Sequence, residues 1–290
     1  MAELSIAVPS RRPPSRLLRL WRRYPLAVAG GALLIAMLLV AVGAPLLTRY
    51  DPVAIDTANR IRPPSAEHWF GTDGFGRDVL ARTLYGGRVS LSVGFAVALF
   101  TTLVGLAIGL LSGYLRWADA IVMRVMDGMM AIPGVLLAIA IMALTRAGIG
   151  TVILAITVAE IPRMVRVVRG VVLTIREQTY IEACVASGTR LHRILWRHIL
   201  PNALAPVIVQ ATFVFASAVI IEAYLSFLGA GIPPEIPSWG NIMAEGRTLV
   251  LIAIWLILFP GAFLGLMVFS INLLGDGLRD AFDPRAVRRA

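Results

Sequence analysis

Six apolar runs, each about as long as a bilayer is thick, constrain this chain more than anything else in it. They fall at residues 25–47, 90–115, 126–144, 149–168, 203–228 and 249–274. A hydrocarbon core of about 30 Å takes about 20 apolar residues in a helix. No water is present at that depth to satisfy a loop or an open strand edge. The expected fold is therefore all-α and polytopic, with six transmembrane helices. Composition agrees: 58% of the residues are hydrophobic and mean hydropathy is +0.80, against roughly 45–50% apolar residues in soluble domains. Only Thr145-Arg146-Ala147-Gly148 separates the third run from the fourth, and Gly148 with Gly150 suits a tight turn between antiparallel helices. The first run exceeds the roughly 7–15 residues of a signal-peptide core and lacks a small-residue cleavage site, so it reads as a retained helix.

The formal net charge is +10, and all 27 basic residues are arginine. Nucleic-acid binding would gather such cations on one soluble face. Here they punctuate the edges of the apolar runs, which makes membrane lipid the expected partner and nucleic acid not one. One set of loops holds Arg116, Arg124, Arg163, Arg166, Arg169, Arg176, Arg190, Arg193 and Arg197, with the N-terminal arginines and Arg279, Arg285, Arg288 and Arg289. The other set holds a long loop at 48–89, whose charges nearly cancel, plus Arg146 and Arg247. The positive-inside rule then places residues 1–24 and 275–290 in the cytoplasm and 48–89 outside it. Trp21 and Tyr24 fall where aromatic rings favour the headgroup level. A single cysteine, Cys184, excludes an internal disulfide.

Between the fourth and fifth runs lies a polar stretch at about 170–201, ending in YIEACVASGTRLHRILWRHILP (180–201). It reads as a short helix, a break at Ser187-Gly188-Thr189, a second short helix and a stop at Pro201, which together make a rigid elbow. The second half sets Arg190, His192, Arg193, Arg197 and His198 among Leu191, Ile194, Leu195 and Ile199 at helical spacing. On the residues alone two readings stand, a membrane-surface anchor and a contact for a partner protein.

Glu182-Ala183-Cys184, Gly188 four residues on, and Leu200-Pro201 resemble the EAA loop of ABC importer permeases. The match departs from the pattern at Cys184, where alanine is usual, and at His198, where isoleucine is common. HWFGTDGFGRDVLARTLYGGRVSL (68–91), LSFLGAGIPPEIPSWGNIMAEGR (225–247) and NLLGDGLRDAFDPR (272–285) are similar to the second permease subunit of the dipeptide, oligopeptide and nickel importers. The resemblance implies a five-helix permease core at 90–274 and a bacterial inner-membrane location. It further implies partnership with a homologous permease, two cytoplasmic ATPases that bind the ATP and magnesium, and an extracytoplasmic solute-binding protein. Glu182, Ala183, Cys184, Gly188, Leu195, Leu200 and Pro201 would then form the coupling surface for the ATPase. The chain itself would be non-catalytic and hold no cofactor.

Other features of the chain have the outward form of sites. Gly71-Thr72-Asp73-Gly74-Phe75-Gly76-Arg77-Asp78 mimics the spacing of a phosphate-binding loop, but Arg77 and Asp78 stand where lysine and a hydroxyl are needed. A structural loop tied down by Asp73, Arg77 and Asp78 is expected instead. The three histidines, His68, His192 and His198, make no ligand cluster, and no nucleophile stands beside a general base. Glu160 and Glu222 lie within apolar runs, where ionisable groups face a bundle interior or a water-filled path. Together with Trp239, at the end of the stiff Pro233–Ser238 stretch, they are the candidates for a substrate path or gate. For Glu160 the competing reading is an ion pair with Arg163 at the membrane edge. For Glu222 it is a structural hydrogen bond, and for Trp239 an anchor at the headgroups. Gly105, Gly109 and Gly113 line one helix face and permit close packing, within the subunit or against a second permease. Two other function classes were set beside the importer: an ion-driven secondary transporter with Glu160 and Glu222 as proton carriers, and a receptor or scaffold. Six spans are few for the former, and the latter gives the two acids no task. Cargo is not written in the chain; the family carries dipeptides, oligopeptides, glutathione-like peptides and nickel complexes.

Overall fold

The computed structural model describes residues 24–282. The expected segment at 1–23 and the end of the expected tail lie outside the described residues. In chain order the helices are α1 (Pro25–Val42), α2 (Ala44–Leu47), α3 (Val79–Tyr114), α4 (Arg116–Met130), α5 (Gly134–Ala143), α6 (Ile149–Arg176), α7 (Thr179–Ala186), α8 (Leu191–Ile194), α9 (Leu200–Phe227), α10 (Trp239–Gly246) and α11 (Trp255–Phe282). Among the described residues the only β pairing is an isolated bridge between Thr72 and Asp78.

Small residues set the packing. A Cβ on Gly109 would stand 2.5 Å from Val168 Cβ, and one on Gly113 2.6 Å from Val172 Cβ. The glycine face of α3 is thus spent on α6 within the subunit, which decides between the two readings of that face. Gly30 of α1 meets the backbone of α11 at Leu274, and Gly277 of α11 meets Ala27. In lipid, where apolar burial gives helices no preference for one another, such backbone contact and its dispersion energy supply the association. Helix α9 lies centrally, against α3, α6 and α11. Its Val207, Val214, Ala218 and Leu225 join Val97, Ile156, Met164 and Val168 in the main core.

Several boundaries differ from the sequence expectation. Helix α3 begins at Val79, eleven residues before the expected span, because Asp78 caps it by accepting from Ala81 N at 2.7 Å. The arginines of its first turns are paired, so they do not mark a loop. The third run is not one straight helix: α4 and α5 meet at 87° across Ala131–Pro133, where Pro133 cannot continue the ladder. Helix α11 starts at Trp255, after an apolar but non-helical approach in which Leu251 is almost fully exposed. It then runs on to Phe282, into the expected tail. By length and composition α1, α3, the α8–α9 run and α11 qualify as spans, and the bent α4–α5 pair makes a fifth when it is counted as one span. With 28 residues, α6 has the length, about 42 Å at 1.5 Å per residue. It is set apart by Glu160, Arg163 and Arg166 in its middle.

Candidate functional site

The elbow is shaped by a helix terminus. Helix α7 ends in a paired-bond cap: Thr189 N donates to Cys184 O at 3.0 Å and Gly188 N to Val185 O at 2.9 Å, with Gly188 at φ +73°. This is the left-handed stop that glycine adopts without a Cβ penalty. Ile181 is buried with Ile194, Leu195 and Ile199 in the main core, so both short helices are pinned on their inner sides. Outward face Glu182, Ala183, Val185, Gly188 and Leu191, with Trp196 69% exposed. Cys184 and Leu200 are half-buried, and Pro201 is exposed.

Two expectations for this stretch need correcting. Leu195 is only 8% exposed and belongs to the elbow's anchor, not to its outer surface. Pro201 does not stop a helix. A wide π-turn at Leu195–Ile199 carries the chain directly into α9, and the helical run continues through Pro201, which only omits its own ladder bond. The same π-turn rotates Leu195 inward and turns Trp196 outward.

Cys184 and His198, the two departures from the family pattern, meet: Sγ lies 4.0 Å from Nε2. Tyr180 stands with its ring 6.4 Å from that of His198, and Asn202 donates to His198 O at 2.7 Å. A small residue in α7 and a larger one in the π-turn thus fill the same joint.

The two acids of the spans are both tied. Glu160, on α6, accepts from Ser217 Oγ of α9 at 2.9 Å and from Arg163 Nη1 at 3.2 Å. Glu222 is fully buried; it accepts from Ser90 of α3 at 2.8 Å and from Ser226 at 3.0 Å. It therefore joins α3 to α9. Trp239 is 1% exposed and donates from its indole to Thr83 O at 3.0 Å. It is a packing wedge between α10 and α3, against the expectation of a ring at the headgroups.

At the end of the bundle opposite the elbow, the loop that mimics a phosphate-binding sequence is closed by its own charges. Asp73 accepts from Phe75 N, Arg77 N and Arg77 Nε. Glu245 of α10 takes Arg77 at 2.6 Å and Arg82 at 2.9 Å. Arg82 Nη1 lies 3.3 Å from Asp73 Oδ2. Asp78 adds His68 at 2.9 Å to its capping bond. Sequence reasoning found Asp73 and Arg77 but missed Glu245; the available signal was that it is the one acid between Glu235 and Asp276.

An all-helical membrane protein with an outward elbow and a pinned loop on the opposite end is the architecture of an importer permease. The chain matches the family described as binding-protein-dependent transport system inner membrane component over residues 88–288. It also matches the N-terminal transmembrane domain of oligopeptide transport permease C over 15–64. A probable peptide ABC transporter permease of Sinorhizobium fredii is 51% identical across 93% of both chains. A dipeptide transport system permease of Alkalihalophilus pseudofirmus is 43% identical across 91% of this chain and 87% of that one. Among solved structures, an inward-facing form of the MetNI methionine ABC transporter superposes with a TM-score of 0.58 at 24% identity, covering 68% of this chain and 94% of that one. That likeness concerns the fold. The chain belongs to the binding-protein-dependent inner-membrane permease family: it is a multi-pass ABC transporter permease of the inner membrane.

Proposed function

We propose that this permease forms half of the pathway of an ATP-driven importer that moves peptides or similar small solutes inward. The observation that carries the proposal is the elbow: a glycine-stopped helix whose inner side is buried and whose outer side leaves Glu182, Ala183 and Val185 uncovered. Such a rigid projection suits the groove of a partner ATPase. The printed names of the relatives favour peptide cargo. The full assembly then comprises a homologous permease, two cytoplasmic ATPases holding ATP and magnesium, and an extracytoplasmic solute-binding protein. With the elbow on the cytoplasmic side, as the arginine distribution favours, ATP acts by binding one state of the assembly better than the other, and the elbow swings the helices between them. The pinned charge cluster of Asp73, Arg77, Arg82 and Glu245 would keep the outer end of the bundle rigid during that swing. The test is reconstitution with the partner subunits in proteoliposomes. Glu182→Lys is expected to leave the permease inserted while reducing both co-purification with the ATPase and uptake; unchanged uptake would overturn the coupling role.

A further inference from the structure

A charge in the middle of a membrane helix has three tolerable surroundings: a partner inside the bundle, another protein, or water. Arg163 is about 21 Å along α6 from Ile149 at 1.5 Å per residue, well inside a hydrocarbon core of about 30 Å. Its side chain is nonetheless 57% exposed. One nitrogen, Nη1, reaches both oxygens of Glu160, at 3.2 and 3.4 Å. Nε and Nη2 have no partner among the described residues. Glu160 is itself buried and held by Ser217, so it points Arg163 without enclosing it.

The surroundings tell which side is wet. The backbone breaks at Ala131–Pro133 alongside this part of α6: a Cβ on Gly134 would stand 3.8 Å from Ala159 Cβ, and Asp127 reaches Arg166, which brackets Arg163 on the same face. Non-helical backbone at this depth is stable only inside protein or along an aqueous cavity, and Ala131, Ile132, Pro133 and Gly134 are all exposed. Toward the elbow the open face is charged: Arg166 bonds Asp127 at 2.5 Å with both side chains about half exposed, and Arg124 is exposed as well. Away from the elbow α5 is apolar, with Leu136 and Leu144 exposed. The charged half, the broken backbone and the free guanidinium share one face.

We propose that this face lines the solute path and that Arg163 is the cation that meets the carboxylate end of the cargo at the α4–α5 corner. The assignment rests on the importer reading above. Guanidinium nitrogens without partners are what a planar carboxylate engages. At the corner Met130 and Ile132 are exposed, at 42% and 47%.

The experiment uses the complex assembled with its partners in membranes. Met130→Cys is labelled with a water-soluble sulfonate thiol reagent and, separately, with a neutral reagent of similar size, and the modified site is read by peptide mass spectrometry. Met130→Cys is expected to react with both reagents, and a dipeptide with a free carboxylate is expected to slow the reaction. Arg163→Gln is expected to lower the sulfonate-to-neutral rate ratio roughly tenfold, the effect of one unit charge a few ångströms away in a partly hydrated site. Arg163→Lys is expected to keep most of it. A Met130→Cys that reacts only after unfolding would mean that the face is covered by protein or lipid and would overturn the proposal. So would a ratio indifferent to Arg163. ATP-dependent uptake by the parent complex tests the importer reading separately: uptake with an indifferent ratio removes this assignment alone.

Discussion

Replacing Gly188 tests the elbow with a cost readable from the structure. The residue sits at φ +73°, and the position where a Cβ would stand has no atom within 4 Å. A side chain there therefore meets no neighbour, and the whole penalty is conformational. For an L-residue with a Cβ the left-handed region costs about 1–2 kcal/mol, while asparagine visits it more readily. Gly188→Ala is expected to cost about 1 kcal/mol and Gly188→Val about 2 kcal/mol or more, with Gly188→Asn well below either. At a factor of ten per 1.4 kcal/mol, valine reduces the population of the bent elbow roughly thirtyfold. The assay is ATP turnover and solute uptake by the reconstituted complex, with uptake per ATP as the readout. The expected order is Gly, Asn, Ala, Val. If valine transports like glycine, the bend is not what transmits force and an elbow resting on headgroups is the better account. If asparagine fails as badly as valine, side-chain bulk at the partner's surface decides, not backbone shape.

Further predictions concern stability and topology. Glu245→Gln removes a carboxylate from beside fully buried Arg82; a loss of about 3–5 kcal/mol is expected for one partner removed from a buried pair, visible as a lower unfolding midpoint in detergent. Adding Arg82→Met should recover part of it. Gly109→Ala places a methyl against Val168 and is expected to lower the melting temperature. Gly170→Ala, which meets nothing within 4 Å, is expected to be neutral or stabilising by up to about 1 kcal/mol. A reporter inserted near Thr189 is expected to score cytoplasmic and one near Ala58 external; the same side for both would break the span assignment.

The spans were legible because bilayer thickness demands long apolar runs, and a run survives small errors at its ends. What composition could not mark was the backbone inside a run. The α4–α5 corner lies inside a run that hydropathy reads as continuous, and Pro133 and the nearby charge of Asp127 are the local hints of it. The start of α3 was hidden for the opposite reason: Arg82 and Arg88 look like loop residues until their partners are known, and those lie far along the chain, at Glu245 and at the carbonyls of Ala41 and Val42. In the elbow, the left-handed stop at Gly188 was readable because a local hydrogen-bond pattern specifies it. The inward turn of Leu195 was not, since it depends on a π-turn that no residue-by-residue spacing announces. The pairing of Cys184 with His198 shows how two local departures from a family pattern can be one feature in space.

These contacts bear on how motion at one end of the molecule reaches the other. From Leu191 to Phe227 the chain is helical without a break, 37 residues or about 55 Å at 1.5 Å per residue, so the elbow is the near end of a single rod. Along the rod Ser217 is held by Glu160 of α6. Further on, Glu222 is held by Ser90 of α3 and Ser226. A buried carboxylate with several hydroxyl donors is costly to strip of them, so these ties resist sliding of α9 against its neighbours. A push on the elbow is then carried by α3, α6 and α9 as one body. The α4–α5 corner is built differently: a 12-residue stretch from Gly128 to Ile139 includes only one fully buried side chain, Ala138. It is loosely fastened to that body, and a change of shape along the path costs little there.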